Sequence, residues 1–479
     1  MFDLAQAAVE AALAAGATYA DARGVVTTTE SLEARDGILE RLAQSESAGV
    51  GVRALFGSSW GFFATPDPSP AAARRAGEEA TAIARASALV PGPPLELAEV
   101  VVTEAHWESG WQEHPATVSL AEKADLLVMV TAAMKGVDGV SVAQAEIDTW
   151  DTEKWFVSSQ GHRISQHVVE CGTGMSATAV GAQETQRRSY GGIGGAYGTR
   201  GYELVRQADL PANAGRVAEE AVALLSAPEC PAGTTDLILG SEQLALQIHE
   251  SVGHAIELDR ILGWEAAFAG TSFLEPAELG RMRYGSELMN ITADATLPGA
   301  LGTFGYDDEG TPAQRVDIVR DGVWVGVLSG RDSAARAGVP PGGMVRADGY
   351  ARLPMVRMTN VGLLPGGSSL EEMVADTADG VYMETNRSWS IDDKRLNFQF
   401  GCEVGYEIKD GRLGRLLRNP TYTGITPRFW ASLDALGGDD EWDVMGTPNC
   451  GKGQPMQVGH TGHPSAPARF TGVRVGVHA

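Results

Sequence analysis

Two histidines and a glutamate stand close together in the chain, at His249, Glu250 and His254. A neutral imidazole is a common zinc ligand, and a glutamate held beside the metal can act as a general base. The familiar helical zinc motif, His-Glu-x-x-His, has its histidines four residues apart. In this chain they are five apart. These residue types indicate hydrolytic metal chemistry if the backbone can absorb the extra residue.

The extra residue places a geometric condition on the helix. On a regular α-helix, positions four apart lie ~40° from each other, whereas positions five apart lie ~140° from each other. Rings ~140° apart cannot share one ion about 2 Å from each nitrogen. A π-bulge would remove the surplus rotation, and Gly253 is the residue that best tolerates such a departure. We therefore predict a helix that is widened or broken between Glu250 and His254. The alternative is a buried core histidine, a surface histidine and an exposed glutamate.

The flanking residues favour a helix at this position. Residues 236–239 are typical of a short buried strand that ends at Gly240, and Ser241 is a good N-cap. Apolar residues then recur at spacings of four, four and three, which indicates one buried helical face. They are Leu244, Ile248, Val252 and Ala255. His249 lies at the edge of this apolar stripe.

The composition is that of an ordinary globular protein with more than one domain. Of the 479 residues, 43% are hydrophobic and 21% are charged, and the 59 glycines favour a turn-rich, β-rich architecture. The formal net charge of −25 argues against a nucleic-acid-binding surface, since phosphate contacts need clustered lysine and arginine.

Cysteine usage and the apolar runs bear on the compartment. The four cysteines are widely spaced, so no disulfide framework is predicted. The N-terminus lacks the basic region of a signal peptide and carries Asp3 and Glu10. The longest apolar run, 124–134, is too short to span a bilayer. We expect a soluble cytoplasmic protein with no membrane partner.

Helices and strands are segregated along the chain. Helices are predicted at 2–15, 70–89, 120–135 and 211–225, the third after a capping box that begins at Ser119. Strands are predicted over 19–64 around a turn at 35–38, and as hairpins over 316–328 and 406–417 around Asp-Gly pairs. This arrangement indicates an α+β fold with antiparallel sheets.

Two domains are expected, 1–227 with a linker near 90–98, and 228–479, which is β-rich and carries the metal motif. A glycine-rich run at 190–198 lacks the Gly-Lys-Ser/Thr of a P-loop. We interpret it as a flexible or closely packed loop near a site.

A catalytic zinc needs a third protein ligand and an open position. Glu257 and Asp259 follow on the same segment, and His460 and His463 are further candidates. The remaining candidate is Cys450, where Lys452 nearby would favour the thiolate. The residue types alone leave these alternatives open.

Several motifs together resemble the TldD/PmbA metallopeptidase family, and within it the TldD-type catalytic subunit. They are His-Glu-Ser-Val-Gly-His at 249–254, Asp-Asp-Glu-Gly-Thr-Pro at 307–312, Arg-Leu-Pro-Met-Val-Arg-Met-Thr-Asn at 352–360, Cys-Gly-Lys at 450–452 and the segment ending in Gly-Tyr-Glu at 201–203. These motifs occur in the family's order over roughly the last 300 residues.

The resemblance implies a zinc ion held by His249, His254 and Cys450, with Glu250 as the general base. It also implies a two-domain α+β fold, and a dimer that encloses the active site, formed with a non-catalytic PmbA/TldE-like relative or with a second copy. The implied substrates are peptides and unfolded polypeptides, bound as extended segments.

Two further groups of charged residues have competing interpretations. Asp307, Asp308 and Glu309 could form a hard-metal site, but turn chemistry explains them equally well, so we assign them no ligand role. Arg352 and Arg357 would hold either a substrate carboxylate or an acidic neighbour.

Two other functions remain alternatives to a zinc peptidase. One is a zinc amide hydrolase that acts on a small biosynthetic intermediate. The other is a non-enzymatic, protein-binding regulator.

Overall fold

Two large sheets with separate sets of helices form the protein. A computed structural model describes residues 1–90, 92–191, 195–268 and 270–476. The predicted α+β class with antiparallel sheets is confirmed. Within the described ranges, no helix is long and apolar enough to cross a membrane.

The first sheet has eight strands. They are β1 (Tyr19–Arg35), β2 (Ile38–Phe56), β3 (Ser59–Thr65), β4 (Glu104–Glu108), β5 (Val140–Ser158), β6 (Arg163–Val180), β7 (Thr185–Tyr190) and β8 (Ala196–Gly198). The order is β3-β2-β1-β5-β6-β4, and β7 and β8 also pair with β6. Only the β4–β6 pair in this sheet is parallel among the described strands. The part of the glycine-rich run at 192–194 lies outside the described residues, as does residue 91 of the linker.

Five helices accompany this sheet, and four of them match the predicted ones. They are α1 (Phe2–Ala14), α2 (Pro70–Ser87), α3 (Leu120–Lys135), α4 (Glu203–Ala208) and α5 (Leu210–Leu224). Ser69 and Ser119 cap α2 and α3, because each hydroxyl accepts a backbone N–H 3.2 Å away.

The two faces of the first sheet have different neighbours. On β1, the alternate residues Ala20, Ala22, Leu32 and Ala34 are buried in the clusters that include residues of the helices. Arg23 belongs to the opposite alternation and reaches the C-terminal half of the chain, where it pairs with Asp308. One face of the sheet therefore builds a core, and the other faces the C-terminal half.

The C-terminal half contains fifteen strands in the described residues. They are β9 (Gly233–Leu239), β10 (Ile291–Asp294), β11 (Arg315–Arg320), β12 (Val323–Trp324), β13 (Val345–Arg346), β14 (Met355–Val356), β15 (Val361–Leu363), β16 (Asp379–Ile391), β17 (Asn397–Lys409), β18 (Arg412–Leu417), β19 (Thr421–Ile425), β20 (Leu433–Leu436), β21 (Asp443–Lys452), β22 (Gln457–Ser465) and β23 (Ala468–Val475).

Five of these strands close into a ring. The order β16-β9-β23-β19-β17 is completed by pairing between β17 and β16, with β18 and β20 attached outside the ring. The described residues of this half also form five α-helices: α6 (Ser241–Ile248), α7 (Leu258–Ile261), α8 (Arg331–Ala337), α9 (Leu370–Ala375) and α10 (Thr426–Ala431). Ring closure gives each of the five strands a neighbour on both sides along part of its length.

The three predicted hairpin turns are present. Asp36-Gly37, Asp321-Gly322 and Asp410-Gly411 all have positive φ at both residues, as a tight hairpin turn requires. The hairpin predicted over 316–328 is shorter than expected, since β12 ends at Trp324. Beyond it, the backbone N–H groups of residues 325 and 326 both donate to the Ile318 carbonyl, which ends the regular ladder.

Candidate metal centre

The helix that carries the two histidines is anchored in the C-terminal core. The predicted apolar stripe of α6 and its continuation is fully buried among ring residues such as Leu237 and Phe400. One expectation about this helix was wrong. Ser241 is its first helical residue, and Gly240 is the N-cap. A Cβ at position 240 would lie 3.0 Å from the Tyr382 hydroxyl, so a larger capping residue would be crowded there.

The predicted widening of the helix is confirmed. Residues His249–Gly253 form a π-helical turn, and the His254 N–H donates to the His249 carbonyl over 3.1 Å. This turn brings the two imidazoles together, with ring centroids 4.8 Å apart and planes at 89°. The extra residue in the motif is therefore absorbed by the backbone.

Gly253 is needed for space. Its φ lies outside the left-handed region, but a Cβ there would be 2.1 Å from the sulfur of Met358. The sequence had suggested Gly253 for its backbone freedom, whereas the structure shows that a side chain at this position would collide with Met358. Met358 belongs to the 352–360 motif, so two of the sequence motifs pack directly against each other.

Three candidate ligands converge at this position. His249, His254 and Cys450 each present a donor atom, and these atoms all lie within 4.8 Å of one another. The Cys450 sulfur is 3.7 Å from His254 Nε2. All three side chains are buried, with 4–5% of their surface exposed.

The neighbours of His254 fix which of its nitrogens carries the proton. His254 Nδ1 lies 3.0 Å from a carboxylate oxygen of Glu257, and it donates its proton to that oxygen. Burial lowers the pKa of His254, which keeps the ring neutral. The lone pair of Nε2 is consequently left for a metal, in the arrangement typical of carboxylate-oriented metal ligands.

His463 fixes the tautomer of His249 in the same way. His463 Nδ1 lies 2.9 Å from the Val361 carbonyl, which can only accept, so this nitrogen carries the proton. His463 Nε2 is then an acceptor, and His249 Nδ1 donates to it over 2.7 Å. Burial lowers the pKa of both rings. The Nε2 lone pair of His249 is therefore free.

Cys450 reaches the histidines through an irregular strand. The β21–β22 register shifts between Thr447 and Cys450, so β21 carries one more residue than its partner over this stretch. Burial by itself raises the pKa of the Cys450 thiol, but His254 and Arg357 outweigh it and hold the pKa below its ordinary value. Chemically, the site favours a thiolate.

Lys452 does not have the role expected from its position. Its ammonium donates to both oxygens of Asp259 at 2.8 Å and to the Val356 carbonyl at the same distance, and it lies 3.3 Å from Glu257. The Lys452 ammonium is therefore paired with the carboxylates of Asp259 and Glu257. Arg357 is the cationic side chain that lowers the pKa of the Cys450 thiol.

The other third-ligand candidates are held elsewhere. Glu257 orients His254, Asp259 bonds Lys452, and His463 orients His249. His460 Nδ1 lies 2.9 Å from a carboxylate oxygen of Glu170 on the first sheet. Of the candidates left open by the residue types, only Cys450 joins the histidine pair.

Glu250 is paired with an arginine that the sequence did not single out. Arg395 Nη1 donates to Glu250 Oε2 over 2.6 Å, from a turn residue with φ +63° between β16 and β17. The two are 145 residues apart in the chain. An Asp-Asp-Lys-Arg turn has no pattern that points to a distant carboxylate, so no sequence feature could have found this contact.

The acidic run is part of the junction between the two halves of the chain. Asp308 lies 2.7 Å from Lys154, and Glu309 lies 2.9 Å from Arg53, both on the first sheet. Asp307 accepts backbone N–H groups from Glu309, Thr311 and Val345. The run combines turn chemistry with buried ion pairing.

A second group of possible ligands lies beside the first sheet and was not predicted from the sequence. His114, Asp151 and His167 are half-buried, with donor atoms within 4.8 Å of one another. His114 Nδ1 accepts the Ala116 N–H over 3.2 Å, so its Nε2 carries the proton and faces Asp151. In this arrangement His114 has no lone pair for a metal.

The first cluster fits a metal ion by the chemistry of its donors. It combines two neutral imidazoles whose Nε2 lone pairs are free, a thiol whose pKa is lowered, and the neighbouring carboxylate of Glu250. This is the donor set of a metal-dependent hydrolase with a three-residue ligand sphere.

Comparison with known proteins agrees with that class. Models of three domains of the PmbA/TldA metallopeptidases match residues 20–84 (domain 1), 113–227 (central domain) and 232–476 (C-terminal domain). The chain belongs to this family of metalloproteases.

Relatives match over nearly the whole chain. A metalloprotease of Methanothermobacter thermautotrophicus is 30% identical over 93% of both chains. A TldD homolog metalloprotease of Haemophilus influenzae is 26% identical over 92% of this chain and 90% of its own. Among solved structures, TldE from Thermococcus kodakarensis has a TM-score of 0.71 at 14% identity over 98% of this chain and 99% of that chain, which shows a shared fold.

Proposed function

We propose that this protein is a zinc-dependent peptidase that hydrolyses peptide bonds in extended or unfolded polypeptides. The observation that carries the proposal is the pair of neutral imidazoles whose free Nε2 lone pairs converge beside Cys450. A regular helix would direct these rings apart, so the π-helical turn is explained if both rings bind one ion.

His249, His254 and Cys450 would hold the zinc ion. A zinc ion there supplies Lewis acidity at the carbonyl that is to be cleaved. Glu257 and His463 keep the imidazoles in the required tautomer and orientation. Because these partners are themselves buried, the orientation is maintained without competition from solvent.

Glu250 would be the general base. Its carboxylate takes a proton from the attacking water and passes it to the leaving nitrogen. Arg395 holds Glu250 through Oε2, which fixes the carboxylate beside the histidines. An extended substrate would pair its backbone with a strand edge, which gives affinity with little side-chain selectivity.

We further propose that the protein acts in the cytoplasm as a dimer, with a TldE-like relative or with a second copy. The resemblance in fold to a TldE supports this choice of partner. We also propose that the chain is divided into two domains, residues 1–227 and residues 228–479.

The test is Glu250→Gln in the purified protein. Removing the base should lower kcat for an unfolded protein substrate by at least about a hundredfold, while zinc content stays at the wild-type level. The matched control is Glu242→Gln, on the same helix, since burial already raises the pKa of Glu242. Full activity in Glu250→Gln would contradict the proposal, and zinc bound without any hydrolysis in the wild type would favour a regulator.

A further inference from the structure

Two arginines beside the metal centre have no acidic partner. Arg346, at the end of β13, and Arg357, just after β14, form no ion pair with a carboxylate of the described residues. Arg357 donates to the carbonyls of Gln457, at 3.1 Å, and Cys450. Arg346 donates to the carbonyls of His460, at 2.6 Å, and Met358. The hydrogen-bond acceptors of both guanidinium groups are thus backbone oxygens, and the Arg346 guanidinium also lies 5.5 Å from the centre of the Phe304 ring.

Neither arginine is satisfied by these contacts. The Nε of each is buried without a hydrogen-bond partner. Arg357 is 2% exposed, and a Cβ on Gly459 would lie 2.5 Å from its Nη2, so it has little room to turn away. Burial and the charge of Arg357 lower the pKa of Arg346 to about 10. Neither arginine has a directly bonded carboxylate, so an anion that accepted their N–H groups would offset part of the cost of burying them.

Both arginines line one cavity of about 380 Å³ between the two halves of the chain. The wall opposite them includes Val25, Trp150 and Val168 of the first sheet. Because Arg357 bonds the Cys450 carbonyl, the cavity lies against the strand that carries the third candidate ligand.

The other charged groups of this cavity are already paired or bonded. Lys154 lies 2.7 Å from Asp308, and Glu170 lies 2.9 Å from His460. Asp348, an exposed residue, accepts the Val458 N–H over 3.0 Å. A Cys450 thiolate would offset one positive charge at most. Three cationic side chains and two carboxylates line the cavity. Arg346 and Arg357 are therefore distinguished by their unbonded Nε–H groups and not by a net positive charge of the cavity.

We propose that Arg346 and Arg357 form a subsite for a carboxylate of the peptide substrate. This subsite rests on the proposed peptidase function and adds a substrate preference to it. A guanidinium recognises a carboxylate through paired N–H donors, and the apolar wall would accept the adjoining residues. The carboxylate has two possible sources, the C-terminus of the peptide or an acidic side chain.

The experiment measures binding, so it does not depend on catalysis. It uses the full-length zinc-loaded Glu250→Gln protein and three fluorescent pentapeptides of neutral sequence at constant ionic strength. One ends in a free carboxylate, one in an amide, and one in an amide with a single internal glutamate. The free acid should bind at least about tenfold more tightly than the neutral amide, or the glutamate peptide should do so if the side chain is the source.

Substitutions assign this preference to the arginines. Arg346→Gln should reduce the ratio of affinities to about one, and Arg346→Lys should retain part of it. Arg352→Gln is the matched control, because Arg352 lies in the same segment but does not line the cavity. Its ratio should equal that of the parent protein.

Arg357→Gln provides a second variant of the subsite. The subsite would be overturned if Arg346→Gln and Arg357→Gln kept the parent protein's ratio of affinities for the carboxylate and neutral peptides. It would also be overturned if the parent protein bound all three peptides equally or bound none of them. These results would leave hydrolysis by the wild type intact. A carboxylate preference without hydrolysis by the wild type would instead overturn the peptidase proposal alone.

Discussion

Two histidine-rich clusters lie within the described part of the chain, and they differ in the hydrogen bonds that their ring nitrogens already make. In the buried cluster, the Nδ1 protons of His249 and His254 go to His463 and Glu257, which leaves both Nε2 lone pairs free. In the half-buried cluster of the first sheet, the lone pair of His114 is taken by a backbone N–H. Donor atoms lie close together in both clusters, but only in the buried cluster does each imidazole keep a lone pair free for a metal.

The largest difference should appear in metal content. His254→Ala should reduce bound zinc from about one ion per chain to less than about a tenth, since two ligands hold zinc poorly. His114→Ala should leave the zinc content unchanged. Elemental analysis after dialysis measures both variants. Zinc lost equally from the two would remove the distinction between the clusters.

The orienting histidine should have the next largest effect. His463→Ala should weaken zinc binding by about 10–100-fold, because His249 loses the acceptor that fixes its tautomer. His460→Ala, on the same strand but bonded to Glu170, is the control and should have wild-type affinity. Competition with a chelator of known affinity gives both constants. An unchanged constant for His463→Ala would mean that His249 is oriented by other contacts.

Adding a methyl group near each cluster should affect the stability of the protein differently, because the two regions are packed differently. Gly253→Ala forces a methyl group against Met358 and should lower the free energy of unfolding by about 1–3 kcal/mol. Gly110, four residues before His114 of the half-buried cluster, has open space around it, so Gly110→Ala should change the free energy of unfolding by less than about 0.5 kcal/mol. Urea denaturation measures both. If Met358→Ala restored no stability to Gly253→Ala, the clash would not be the cause.

The smallest expected effect concerns pH in the metal-free protein. Burial holds the pKa of His249, His254 and His463 below 6.5, so the unfolded chain takes up protons first as the pH falls. Stability should be constant above that pH and decrease below it, by up to about 1.4 kcal/mol per pH unit for each proton. Denaturation curves between pH 7 and pH 5 measure this slope, and His463→Gln should flatten it. A steeper slope in His463→Gln would contradict this assignment.

Local patterns predicted much of the fold. The apolar stripe placed the motif helix, the Asp-Gly pairs placed three turns, and the capping box at Ser119 placed the start of α3. The π-helical turn was predicted as well, because the five-residue spacing leaves little alternative if His249 and His254 bind one ion. In each case the cause lies within a few residues of the effect.

The alternation of side chains between the two faces of β1 also follows from local sequence, but what each face contacts does not. Sequence gives two faces, yet only the folded chain decides that one of them packs against helices and that Arg23 on the other reaches Asp308. The closing of the ring by β16 and β17 is similarly a matter of long-range pairing.

The sequence by itself determined that two imidazoles and a carboxylate occur together at His249, Glu250 and His254, because these residues lie within one short segment of the chain. Only the tertiary structure decided which distant side chains complete it. Cys450 arrives 196 residues after His254 through a shifted strand register, and Arg395 arrives from a turn. Such contacts depend on how whole elements pack, which no local pattern of residues encodes.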